Sequence, residues 1–145
     1  MSKKARSEGS RVAGLIKANK AEYYIADLDL EDDSNDVTVA SEVVTKTLGK
    51  HKAAFLLISA GIKCITVAIG IPDGFDKFDG KLWLNESVKN IAGDRVDLGA
   101  NAVVITADTP FKLKDMVRSA GFEYLNKVGC MGDESSEEFV GFDGI

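Results

Sequence analysis

The fold turns on the run Ala53 to Pro72, AAFLLISAGIKCITVAIGIP. Ala53 to Ser59 and Ile62 to Ile71 are β-rich apolar runs joined by the short break Ala60-Gly61, which is the pattern of an antiparallel hairpin. The two strands are expected at the centre of the sheet. Pro72 has no N–H to give to a ladder, so the second strand ends there.

Working backwards, Val37, Ala40, Val44 and Leu48 recur on one helical face, with Ser34, Asn35 or Asp36 as the cap and Gly49 as the stop. Before it, Tyr23 to Leu30 alternates as a strand with one buried face, and Glu31-Asp32-Asp33 marks its exit. Residues 3 to 18 hold Ala5, Val12, Leu15 and Ile16 at helical spacing. That apolar face is thin, so this first helix is expected to lean on something else.

Working forwards, residues 73 to 80 form a turn-rich loop in which Phe75 and Phe78 pin the chain to the body. Its acids Asp73, Asp76 and Asp79 are spaced by three, unlike the alternate positions of a calcium loop. A helix follows, with Trp83 near its start and Leu84, Val88, Ile91 and Ala92 inward. The stretch Gly93 to Asn101, GDRVDLGAN, reads as a connection to the strand Ala102 to Ala107. Thr109 is placed to cap a last helix with Pro110 in its first turn and Leu113, Met116, Val117, Ala120 and Tyr124 on one face. The fold class is α/β: a mixed sheet of about four to five strands with helices packed on it, preceded by an N-terminal helix.

Charge divides the chain of 145 residues into three parts. Residues 1 to 20 carry six bases and one acid, residues 21 to 36 seven acids and no base, and residues 130 to 145 five acids and no base. The net charge of -5 argues against a strongly basic nucleic-acid binder, because phosphate neutralisation needs clustered Lys and Arg. We therefore expect a connecting helix at 1–20, a globular domain at 21–129 and an acidic flexible tail at 130–145. Two cysteines without a CxxC pair fit a reducing cytosol, so a cytoplasmic location is expected. No apolar run approaches the ~18 residues of a membrane span, so no membrane partner is expected.

Catalytic chemistry is sparse. The single histidine, His51, lies in the polar Gly49-Lys50-His51-Lys52 turn and is read as a solvent-exposed loop residue. One histidine and two distant cysteines cannot supply a four-ligand zinc site. Gly70 to Gly74 matches neither of the common phosphate-loop patterns. Cys64, mid-strand, reads as a buried structural thiol, and Phe75, Phe78, Trp83, Phe139 and Phe142 are the aromatic contact candidates. No catalytic or metal-binding residue is assigned.

The order of elements over residues 8 to 127 resembles the carboxy-terminal domain of alanyl-tRNA synthetase, related to the DHH-associated domain. The resemblance is carried by AFLLISAGIKCITVAIGIPDG, then NESVKNIAGD, then FKLKDMVRSAGFEYL. It implies a non-catalytic module appended to a ligase that joins alanine to tRNA, with ATP as the parent's cofactor and none in this fragment. It also implies contact with the tRNA corner, association with the parent's editing and catalytic domains, and a possible homodimer or protein partner. The family's glycine-rich segment intersperses glycines with Lys or Arg, whereas GDRVDLGAN keeps only Arg95 and Gly99 of that chemistry. Asp94 and Asp97 would repel phosphate, so the tRNA contact is expected to be weak or lost. The RNA-binding candidates are Arg95, Gly99, Asn101, Lys112, Lys114 and Arg118. The alternatives are a stand-alone dimerisation or interaction module and the substrate-binding domain of a DHH phosphoesterase.

Overall fold

A computed structural model describes residues 3–130 and the backbone of 140–142. The hairpin is present: β2 (Ala54–Ala60) pairs antiparallel with β3 (Cys64–Gly70), Phe55 opposite Gly70. Both strands are buried along almost their whole length, because helices cover both faces of the sheet there. β1 (Tyr23–Leu28) runs parallel to β2, with α2 (Ser34–Leu48) as the crossover between them. On the far side of β3 lie β5 (Ala102–Thr106) and then β4 (Asp94–Asp97), both antiparallel to their neighbours. A sixth strand, β6 (Val140–Phe142), runs parallel to β1, giving the order β4-β5-β3-β2-β1-β6.

The mixed α/β architecture is the expected one, with two short edge strands beyond the four read from apolar patterning. β4 is exposed at every residue, so it carries no hydrophobic alternation to betray it. GDRVDLGAN is therefore not a plain connection: Asp94–Asp97 is a strand, and residues 98–101 are the turn that reverses it into β5. β6 falls inside the stretch read as a flexible tail, of which 131–139 and 143–145, including Phe139, lie outside the described residues.

Two apolar layers sandwich the sheet. α1 (Lys3–Asn19) and α2 cover Tyr24, Ala26, Phe55, Leu57 and Ala68, while α3 (Gly80–Val88) and α4 (Lys114–Lys127) cover Ile25, Leu56, Ile58, Ile65, Val67 and Ile105. The thin face of α1 leans on α2, with Ala5, Gly9, Val12, Ala13 and Ile16 buried. A Cβ on Gly9 would lie 2.7 Å from the Ala40 carbonyl oxygen and 2.8 Å from Val43 Cβ, so only glycine lets the two helices approach this closely. Residues 3–19 are thus built into the core of the domain.

Local boundaries differ in instructive ways. Asp33, not Ser34, Asn35 or Asp36, caps α2, its carboxylate accepting from the Asp36 N–H at 3.1 Å. α3 stops at Val88, leaving Ile91 half-buried and Ala92 exposed in the approach to β4. Thr109 makes no side-chain cap; Pro110–Leu113 winds a 3₁₀ turn before α4 begins. That turn rotates the helix relative to the expected face: Met116 is exposed, and Val117, Arg118, Gly121, Tyr124 and Leu125 face inward.

Phe75 and Phe78 do pin their loop to the body. Their rings pack edge-on at 4.8 Å, and Phe78 also meets Trp83 at 5.5 Å and Tyr124 at 5.6 Å. Trp83 is fully buried and belongs to the core, while Phe75 and Phe78 are half-buried against it.

Candidate nucleic-acid interface

The six RNA-contact candidates do not form one surface. Because β4 and β5 run antiparallel, Gly99 and Asn101 sit in the turn at one end of the sheet, level with Tyr23 and Gly70. Lys112, Lys114 and Arg118 follow the other end of β5, near the exit of β1. Five residues of strand, about 13 Å of rise, separate the two groups.

Arg118 is not a surface base. It is 7% exposed and forms an ion pair with Asp27 of β1, while its other terminal nitrogen donates to Asp115 Oδ1 at 2.6 Å. Lys114 Nζ lies 3.9 Å from the same Asp27 carboxylate. Helical spacing puts Arg118 beside Lys114, and no local pattern signals its pairing with a strand acid 91 residues away. Lys112 remains exposed, but Asp108 and Asp115 are exposed around it.

This end of the sheet is held by charge throughout. Arg11 of α1 donates to the Asp27 carbonyl at 2.8 Å, Glu8 accepts from the Asp29 N–H at 2.8 Å, and Lys4 lies 3.2 Å from Asp29. Asp32 closes the β2–β3 turn from outside, accepting the N–H groups of Lys63 at 2.9 Å and Cys64 at 3.1 Å. Ser59 Oγ accepts the Leu30 N–H at 3.2 Å. Burial above all, and then the charge of Asp32, pushes the Cys64 thiol up, which favours its protonated form.

These contacts carry a pH dependence. The Lys63 N–H, joined by those of Cys64 and Ile62, outweighs the cost of burial and lowers the Asp32 carboxyl below its ordinary value of 3.8. Burial opposes the charge on Glu8, yet the Arg11 and Asp29 hydrogen bonds and the Arg11 charge together hold its carboxyl below 4.5. Both folded-state values are depressed, so the stabilisation is complete above the unfolded-chain values and is lost as pH falls through the folded ones. The urea midpoint should therefore fall as pH drops below about 4.5, and less steeply in Asp32→Asn. Equal slopes for the two proteins between pH 5 and 2.5 would exclude Asp32 as a contributor.

At the opposite end, the 98–101 turn forms one wall of a groove of 520 Å³. Thr38, Ser41, Glu42, Thr45 and Lys46 of α2 form the other wall, and the small residues Ala68, Gly70 and Ala102 form the floor. Gly99, at φ 67°, takes the left-handed conformation the turn requires, and Lys81 Nζ donates to the Ala100 carbonyl at 3.3 Å. A smaller pocket sharing Thr45 and Ile71 extends the groove to His51 and Lys52. His51 is half-buried, with Nε2 2.9 Å from the Ala21 carbonyl oxygen, and so is tied to the strand β1 entrance and not free in a loop. Lys46 and Lys52 thus line this end with the acids Glu42 and Asp73, and Lys81 reaches it through the Ala100 carbonyl. Sequence order had concealed this, because they come from three separate segments.

Arg95 lies between the two ends on exposed β4. Its guanidinium donates to Asp97 Oδ1 at 3.1 Å and to Asn85 Oδ1 at 2.6 Å, so its charge is already partly answered. Among the described residues, no three metal-ligating side chains gather, and no helix is long and apolar enough to cross a membrane. No protein-family model matches the chain, and no curated protein is similar to it at a significant level.

Proposed function

We propose that the chain is a non-catalytic module of the kind found at the carboxy-terminal end of alanyl-tRNA synthetase, with its contact to the tRNA corner weakened and an interaction role retained. The observed order supports this reading. A hairpin ends at Pro72, and a loop, a helix, a glycine-containing segment, a short strand and a final helix follow. The observation that carries the weakened contact is the fate of the two arginines: Arg118 is committed to Asp27, and Arg95 to Asp97 and Asn85. The remaining contact is made by the turn at Gly99 and Asn101 with Lys46 and Lys81, where backbone approaches RNA closely and bases supply charge.

Titration with tRNA at 50 and 200 mM salt tests this. The unaltered protein should bind weakly, and Asp94→Lys with Asp97→Lys should tighten binding about tenfold at the lower salt and steepen its salt dependence. Tight, salt-sensitive binding by the unaltered protein would remove the weakened-contact reading. Absence of binding by both would remove RNA and leave the interaction module.

A further inference from the structure

The two faces of the sheet are covered unequally. Towards α3 and α4, Val103 and Ile105 of β5 are buried. Alternation turns Val104 to the other face, with Val96 of β4 directly opposite it. On that face α1 packs against one flank of α2, and α2 reaches across the sheet as far as β3. Beyond the other flank of α2 the sheet is open: Val104 is half-buried and Val96 is 59% exposed. Strands β5 and β4 together span about 10 Å, the width of one helix.

α2 turns a helix-packing ridge towards that space. Thr38, Ser41, Glu42, Thr45 and Lys46, which wall the 520 Å³ groove, are spaced i, i+3, i+4, i+7 and i+8, the stripe that one helix offers another. Its hydroxyl side chains are small, and two are already satisfied: Thr38 Oγ1 donates to the Asn35 carbonyl at 2.7 Å, and Thr45 Oγ1 to the Ser41 carbonyl at 3.1 Å. Covering these two strands no polar group, because their bonds stay within α2. Ala68, Gly70 and Ala102 keep the floor low, which leaves room for large apolar side chains from above. Glu42 and Lys46, both exposed and one turn apart, border the ridge with opposite charges.

We propose that the trough between α2 and β4 is the seat of a helix from another protein. That helix is amphipathic, with leucine- or phenylalanine-sized residues on its apolar stripe and a base and an acid one turn apart to meet Glu42 and Lys46. It lies beside α2 as α1 does on the opposite flank. An extended peptide fits less well, since its side chains on one face recur about every 6.6 Å, out of step with the roughly 5.4 Å turns of the ridge. The trough adjoins the Gly99–Asn101 turn, but the proposal rests on apolar burial and not on the RNA reading.

Selection of a displayed library of random peptides, about 16 residues or four turns long, on the full chain tests this. Binders should carry Leu or Phe at i, i+3 or i+4, and i+7, gain helical circular dichroism on binding, and shift the amide resonances of 38–46 and 96–104. Val96→Ser, at an exposed site, should weaken them about threefold, and Val96→Ser with Val104→Ser about tenfold or more, with urea midpoints checking that both variants fold. Glu42→Lys with Lys46→Glu should weaken them and restore binding to a peptide whose own two charges are exchanged. The serine changes alter no charge, so tRNA binding should be the same in all three proteins; a parallel fall would give the trough to RNA and overturn the proposal. Binders that stay extended or ignore both serine changes would overturn it, as would a selection that returns none. A dimer of the chain that Val96→Ser dissociates would seat a second copy there instead and equally remove it.

Discussion

Arg118→Ala should lower the unfolding free energy by about 3–5 kcal/mol, because it leaves the Asp27 carboxylate buried without its main counter-charge. The side chain of Asp27 is 13% exposed, its Oδ1 already has no hydrogen-bond partner among the described residues, and Lys114 at 3.9 Å is too far to replace the guanidinium. Asp27→Ala should cost a similar amount by stranding the arginine. The paired change Asp27→Leu with Arg118→Met should cost less than either single change, since an apolar pair of similar bulk needs no desolvation compensation. Urea unfolding of the four proteins measures this. If Arg118→Ala instead weakened tRNA binding and left the urea midpoint unchanged, the residue would be a surface contact and its burial against β1 would be wrong.

Trp83→Ala should cost about 3–5 kcal/mol, the range for emptying a fully buried large aromatic site. For a domain of this length that corresponds to a fall of about 10–15 °C in Tm. The indole binds the two helices on its face of the sheet: Nε1–H donates to the Gly121 carbonyl of α4 at 3.1 Å, and the ring meets Phe78. Gly121 leaves room for this contact, since a Cβ there would fall 3.0 Å from Ile25 Cδ1 and 3.3 Å from Ser87 Oγ and press on both. Trp83→Phe should retain most of the packing and lose the hydrogen bond, a smaller loss of about 1–2 kcal/mol. Calorimetry of the two variants separates these contributions, and equal Tm values for both would refute the assignment of the larger share to packing.

The charge clusters show why function was harder to read than fold. Asp27 and Arg118 looked like a strand acid and a helix base, each free to face solvent. Their pairing needs β1 and α4 to meet across the sheet, which no local pattern encodes. The lysines near the 98–101 turn were equally hidden, since Lys46, Lys52 and Lys81 belong to a helix end, a strand entrance and the next helix. Conversely, Phe75 and Phe78 were legible, because two aromatics in a turn-rich loop have few ways to leave water except against the body.

The central hairpin, the amphipathic face of α2 from Val37 to Leu48 and the α/β order were legible in the residues alone, because apolar periodicity and the stops at Gly49 and Pro72 are local signals that burial then obeys. Tertiary structure alone decided the sheet's edges. β4 has no buried face, and β6 is three residues long, so neither carries a period for the sequence to display. Backbone pairing with a neighbour already in place makes each of them a strand. The same holds for the candidate interface: charge along the chain was visible at once, but which charges answer one another, and which remain for a partner, is fixed by the distances the fold creates.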